Sequence, residues 1–216
     1  MNYKQAKIFY TPPKILQKIF NNFVWESGVD SVLLTFDDGP NPGTTEIILE
    51  RLNQHNVKAL FFCVGENIEK YPNLVKRIIA DGHTIGNHSH SHENITFGNK
   101  TRIDEQIKAC SDTIERVCGI KPQYFRPPHG RFDVRTNGFL KEHQLKNIMW
   151  SLLTYDYKND LNIVKFAVQN YITKNSIIVL HDNNKSKDII DASINFIVEE
   201  VDKRGFKFGE ASECLK

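Results

Sequence analysis

Three histidines at alternate positions, His88, His90 and His92 in "GNHSHSHENI", and two adjacent aspartates, Asp37 and Asp38 in "LLTFDDGPNPG", are the residues with most chemistry to offer. On a strand all three imidazoles would share a face, whereas on a helical turn only His88 and His92 would. The flanking Gly86, Asn87 and Asn94 speak against a strand, so a turn presenting the i, i+4 pair to one metal ion is expected, with His90 pointing elsewhere. In extended backbone, successive side chains face opposite sides, so Asp37 and Asp38 are expected to do two different jobs. Read alone, the aspartate stretch is a surface turn, because Asp, Gly and Pro each favour turns. Beside a histidine pair at ligand spacing it gains a role. Two histidines and one carboxylate leave an open position on a zinc-like ion, where a bound water loses a proton near neutral pH. One aspartate would complete the ligand set and the other would take the proton as general base.

Such groups need a scaffold that brings distant stretches together. Short apolar runs recur as "SVLLTF", "KALFFCV", "HTIG", "QYF", "LKNIMWSLL", "SIIVLH" and "GFKF", most of them followed by amphipathic helical patterns. Helices are predicted over 44–55, 67–81, 100–117, 134–143, 161–174 and 187–203, lengths that suit crossovers between parallel strands. An open sheet would gather its polar residues at one switch point, and a barrel would gather them from strand ends all round its mouth. Here polar clusters follow at least five separate runs: Asp37 and Asp38, His88 to His92, Arg126 with His129, Asp156, and His181 with Asp182. A barrel mouth is the better account.

At 216 residues one domain suffices, with no repeat or long linker. Lys and Arg total 28 against 26 Asp and Glu, interspersed, which excludes a nucleic-acid surface and a polybasic membrane anchor. The four cysteines have no metal or redox spacing and are read as structural, Cys63 as a buried thiol; a Cys110 to Cys118 bridge has no support beyond proximity in sequence. Residues 1–30 form an N-terminal extension, in which Ile15, Leu16, Ile19, Phe20 and Phe23 make a helical stripe expected to pack on the single domain over 31–216. The stretch lacks the apolar core of a signal peptide, no run reaches transmembrane length, and a cytoplasmic setting is the simplest expectation. Trp25, Trp150, Phe61 and Phe62 are expected in the core.

The stretches "TFDDGP", "HSHSH", "RPPHG", "TYDY" and "IVLHD" occur in the order of, and resemble, the motifs of the polysaccharide deacetylase family, also called NodB-homology or carbohydrate esterase family 4. The likeness spans roughly residues 32–182. It implies an α/β fold, a distorted (β/α)7-type TIM-like barrel, and hydrolysis of N-acetyl groups on GlcNAc-containing glycans, of chitooligosaccharide or peptidoglycan type, with a divalent metal. Zinc comes first, with cobalt, nickel or manganese as alternatives. The resemblance makes Asp37 the base, Asp38, His88 and His92 the metal ligands, and His181 the acid that protonates the departing amine. Asp156 would favour the charged form of His181. Arg126 would pair with the base, for which a bidentate contact is suited, and the His129 backbone N–H would hold the oxyanion. The chain departs from the family's usual pattern at four places: His129 stands for Tyr, His90 for an aromatic residue, Tyr157 for Trp and Val179 for Leu. The last two belong to the pocket for the acetyl methyl, so these changes bear on substrate fit. No protein partner is implied. The rivals are an O-acetyl esterase on xylan or another acetylated glycan, a two-carboxylate glycosidase, against which the histidine pair speaks, and a non-catalytic sugar-binding module.

Overall fold

The computed structural model describes residues 9–96 and 98–216. Seven strands lie parallel in one curled sheet of order β5-β4-β3-β2-β1-β7-β6, with β2 in the middle and β1 beside it. They are β1 (Leu33–Asp37), β2 (Ala59–Cys63), β3 (Thr84–Asn87), β4 (Tyr124–Phe125), β5 (Lys146–Asn147), β6 (Leu152–Leu153) and β7 (Ile177–His181). The helices are α1 (Lys14–Ile19), α2 (Thr45–Gln54), α3 (Gly65–Lys70), α4 (Pro72–Ala80), α5 (Lys100–Cys118), α6 (Thr136–Glu142), α7 (Leu161–Tyr171), α8 (Ile190–Lys203) and α9 (Ala211–Cys214).

β1 and β2 are buried at every position, as parallel strands covered on both faces must be. Their period of two then sorts residues into two cores. Leu34, Phe36, Phe61, Ile178 and Leu180 pack outward against the helices, whereas Leu33, Leu60, Phe62 and Ile177 fill the interior. By the same alternation Thr35 and Asp37 face inward on β1, as do Val179 and His181 on β7. The register pairs Thr35 with Val179 and Asp37 with His181, so a carboxylate and an imidazole emerge side by side at the rim.

Two expected elements are divided. The helix predicted over 67–81 breaks into α3 and α4 at Pro72, which opens α4, where a missing N–H costs nothing. "LKNIMWSLL" is not one strand but two, β5 and β6, joined through residues 148–151. Asp156 therefore follows the sixth strand and His181 ends the seventh. "GFKF" supplies only an isolated bridge, Phe208 to Val32. α5 is better specified: the Asn99 side chain accepts from the Thr101 N–H at its start, and Gly119 at φ 71° ends it.

Among the described residues no ladder joins β5 to β6, and the N-terminal segment runs along both exposed edges. The Val24 N–H donates to Asn147 O at 2.9 Å beside β5, and the Leu153 N–H of β6 donates to Tyr10 O at 2.8 Å. Within it the apolar stripe divides: Phe23 is buried, Leu16 and Phe20 pack against Phe23, Trp25, Met149 and Phe132, while Ile15 and Ile19 are exposed. All four cysteines are free thiols. Cys110 and Cys118 lie eight positions apart on α5, about 12 Å along its axis, too far to bridge. No helix among the described residues is long and apolar enough to cross a membrane.

Candidate active site

Asp38 leaves β1 with φ 78°, a left-handed backbone unusual for a residue other than glycine. That turn swings its carboxylate back towards the cavity that Asp37 enters from the strand, so the adjacent aspartates reach one site after all, in different ways. Asp38 Oδ1 lies 3.0 Å from His92 Nε2 and 3.5 Å from His88 Nε2. The three donor atoms fall within 4.8 Å of one another, the arrangement a single cation needs. The two histidines meet without the helical turn expected from their spacing: the loop after β3 passes through left-handed Ser89 (φ 64°) and His92 (φ 57°). His90 stays outside the triad, its N–H bonded to Gln106 Oε1 at 3.1 Å. His88 Nδ1 donates to Arg126 O at 2.7 Å, which fixes its tautomer and leaves the Nε2 lone pair for a metal. Burial would raise Asp38, but the hydrogen-bonding imidazoles of His88 and His92 hold it well below the usual carboxylate range.

On one flank Asp37 Oδ1 receives Arg126 Nη1 at 2.7 Å. Arg126 is wholly enclosed. Its Nη1 also donates to Thr35 Oγ1, its Nε to Ile148 O at 2.9 Å and its Nη2 to Met149 O at 2.8 Å. The Phe62 ring lies 4.2 Å below it. The contact with Asp37 is thus through one nitrogen rather than bidentate, because backbone carbonyls left by the β5–β6 break claim the others. This leaves Asp37 Oδ2 free of the guanidinium.

On the other flank His181 Nδ1 sits 2.7 Å from Asp156 Oδ1, and Asp156 Oδ2 accepts the His181 N–H at 2.7 Å. Asp156 is fully buried in a short 3-10 turn, Asp156–Lys158, entered through left-handed Tyr155. Burial would depress the His181 imidazole, but the charge of Asp156 and its hydrogen bond raise it to about 9. The Tyr157 ring meets the His181 ring edge-on at 4.9 Å.

His129 follows Pro128 at φ 57°, a conformation histidine tolerates better than most residues, and its ring lies 4.5 Å from that of His92. Burial lowers its pKa. Among the described residues no hydrogen bond uses the His129 backbone N–H. Next to it Gly130 has φ 63°, and a Cβ there would lie 2.1 Å from Trp150, so only glycine lets the loop close over that ring.

A cavity of about 290 Å³ unites these groups: Asp37, Asp38, His88, His92, His129, Tyr157, Val179 and His181 all line it. Arg126 and Asp156 stand behind it. Asp182, grouped with His181 in the sequence, does not line it; its carboxyl takes the Thr44 and Thr45 hydroxyls, and burial pushes it up to about 7 despite them. Trp150, expected in the core, packs half-buried against it and also lines the cavity, with Leu153, Asn183 and Lys185, none of which was singled out. The signal for Trp150 and Leu153 was the hidden break in "LKNIMWSLL"; for Asn183 and Lys185 it was only their nearness to His181.

A parallel, curled α/β sheet thus carries, at the C-terminal ends of its strands, an Asp-His-His triad able to hold a metal ion. The chain belongs to the family described as polysaccharide deacetylase, whose pattern it matches over residues 26–148. It is 40% identical over 149 residues, 69% of this chain, to a peptidoglycan-N-acetylglucosamine deacetylase of Bacillus cereus, and spans 54% of that relative's length. The crystal structure of the Bc1960 peptidoglycan N-acetylglucosamine deacetylase superimposes with a TM-score of 0.84 at 31% identity, covering 96% of this chain and 98% of the other. The BA3943 protein of Bacillus anthracis, described as a CE4 family pseudoenzyme, superimposes with a TM-score of 0.80 at 26% identity, over 89% of this chain and 68% of the other. Fold alone therefore does not secure catalysis, and the site residues must carry the functional argument.

Proposed function

We propose that the chain is a metal-dependent hydrolase that removes N-acetyl groups from GlcNAc-containing glycans. The observation that carries this reading is the convergence on one cavity of a ligand triad and two proton-transfer groups, Asp37 and His181, on either side of it. The name of the Bc1960 relative, matched over nearly its whole length, supports the substrate class, as does that of the Bacillus cereus relative of which this chain spans 54%.

Asp38, His88 and His92 would hold the ion, and their mixed imidazole and carboxylate donors favour zinc. When bound, it supplies a Lewis acid that polarises the acetyl carbonyl and makes water a stronger acid. Asp37, oriented by Arg126, accepts the proton of the attacking water on its free Oδ2. The His129 N–H donates to the developing oxyanion from the Pro-stiffened loop. His181, kept protonated by Asp156, gives its proton to the departing amine. Val179, Tyr157, Leu153 and Trp150 wall the space for the acetyl group.

Incubating chitooligosaccharide or peptidoglycan fragments with zinc-loaded protein should release acetate and create free amines at constant sugar count, and chelation should stop it reversibly. Shortened chains with every acetyl retained would refute the reading. Acetate released from acetylated xylan but not from these amides would make the chain an O-acetyl esterase.

A further inference from the structure

We propose that Asn183 is the positioning residue that makes Asp38 a one-oxygen ligand. Asp38 turns Oδ1 to His88 and His92, and its Oδ2 accepts a hydrogen bond from Asn183 Nδ2 at 2.6 Å. The amide cannot be reversed without loss, because Asn183 Oδ1 accepts the Lys185 N–H at 2.9 Å; a flip would set a carbonyl against the carboxylate and an NH₂ against an N–H.

The arm that carries this amide is held firmly. Asp182, one residue earlier, is buried and takes the Thr45 Oγ1 hydrogen bond at 2.6 Å as well as one from Thr44, tying the β7–α8 loop to the start of α2. Its own N–H donates to Asp37 O at 2.8 Å. A Cβ on Gly39 would lie 2.2 Å from Asp182 Oδ2, so the loop after Asp38 and the loop after His181 approach only because residue 39 is glycine. From the other side Ser186 Oγ donates chiefly to His181 O at 2.5 Å, with Asn183 O at 3.1 Å as a weaker second acceptor. From the opposite wall Asn67 Nδ2 donates to Asp38 O at 2.7 Å and steadies the left-handed backbone. Asp38 is therefore gripped at its carbonyl by Asn67 and at its outer oxygen by Asn183, and only Oδ1 remains for a cation. A donor on the outer oxygen limits rotation of the carboxylate and keeps it from chelating through both oxygens, the role outer-shell partners play at metal sites.

The inference rests on the metal site of the proposed function, not on deacetylation, and metal affinity reads it directly. Zinc would be titrated into the metal-free full chain against a competing chelator, for wild type, Asn183→Ser and Asn183→Ala, with thermal melts of each metal-free protein. Asn183→Ser keeps an acceptor for the Lys185 N–H through a hydroxyl turn, adds no charge and is too short to reach Asp38. It should weaken zinc binding about 10- to 100-fold, as should Asn183→Ala, with the melt of Asn183→Ser unchanged. Affinity of Asn183→Ser within twofold of wild type would overturn the proposal, as would a metal-free melting midpoint that falls in step with affinity in both variants. Wild type that binds no zinc would overturn the metal site itself, and the inference with it.

Discussion

His83 and His181 stand at opposite ends of the sheet, His83 just before β3 and His181 at the last residue of β7, and their environments drive them in opposite directions. His83 is 6% exposed, accepts the Ala59 N–H on Nδ1 at 3.2 Å and lies beside the Phe61 ring. Burial, with the nearby charge of Lys58, lowers it to about 4. His181 suffers burial too, yet Asp156 lifts it to about 9. The lesson is that enclosure makes a histidine a neutral packing residue, and a fully buried carboxylate on Nδ1 turns one into an acid charged at neutral pH. The Asp156 carboxylate, with smaller shares from Asp38 and Asp37, separates the candidate catalytic histidine from the structural one.

The hardest test of the comparison is to remove the proton donor. His181→Gln should lower kcat by about 10²- to 10⁴-fold, the range of general acid contributions, while zinc affinity stays as in wild type, because His181 is outside the triad. Equal loss of zinc and turnover would show that His181 is a ligand and not an acid. A finer cut converts His181 into a residue like His83. Asp156→Asn keeps a hydrogen-bond acceptor but removes the charge, so the alkaline limb of the kcat/KM profile should move from near 9 towards or below the ordinary histidine value. At pH 8 a histidine of pKa about 6.5 is some ~3% protonated, so activity there should fall about 30-fold and recover as the pH is lowered. A uniform loss at all pH values would mean that Asp156 only holds the ring in place.

Much of this site was legible because its residues sit at ends of apolar strands: the runs "LLTF" and "IIVL" mark the positions of Asp37 and His181, while their roles come only from the family resemblance. The spacing of His88 and His92 picked out the pair that the structure brings together with Asp38, but not its local geometry, since left-handed Ser89 and His92 bring the rings together without a helix. Positive φ at non-glycine residues has no reliable mark in sequence, and the same blindness hid how Asp38 doubles back beside Asp37. The divided strand at residues 148–151 was missed because β5 and β6 are two residues each, and an apolar run gives no hint of where pairing stops. The bidentate contact expected of Arg126 from its pairing role gives way because the carbonyls of Ile148 and Met149 at that break take its other nitrogens. Asn183 was out of reach, because its role depends on two loops that meet only in the fold.

The smallest effect concerns the other histidine and stability rather than rate. His83 has a folded pKa of about 4, below its unfolded value of about 6.5, so its contribution to stability is fully present above pH 6.5 and is lost as the pH falls towards 4. At pH 4.5 the lost share is about 2 kcal/mol, against the reference at pH 7.5. His181 runs the other way, its contribution present below 6.5 and lost as the pH rises through about 9. His83→Asn retains an acceptor at the position of Nδ1 for the Ala59 N–H but cannot be protonated. Its packing loss against Phe61 should cost about 1 kcal/mol at both pH values. Urea melts of the metal-free protein at pH 7.5 and 4.5 should then show a smaller acid loss in His83→Asn than in wild type, by about 2 kcal/mol. Other acid-sensitive groups, Asp38 among them, act equally in both proteins and cancel in the difference. Parallel losses in wild type and variant would mean that His83 takes up its proton in the folded state as readily as in the unfolded one, and the contrast between the two ends of the sheet would fail.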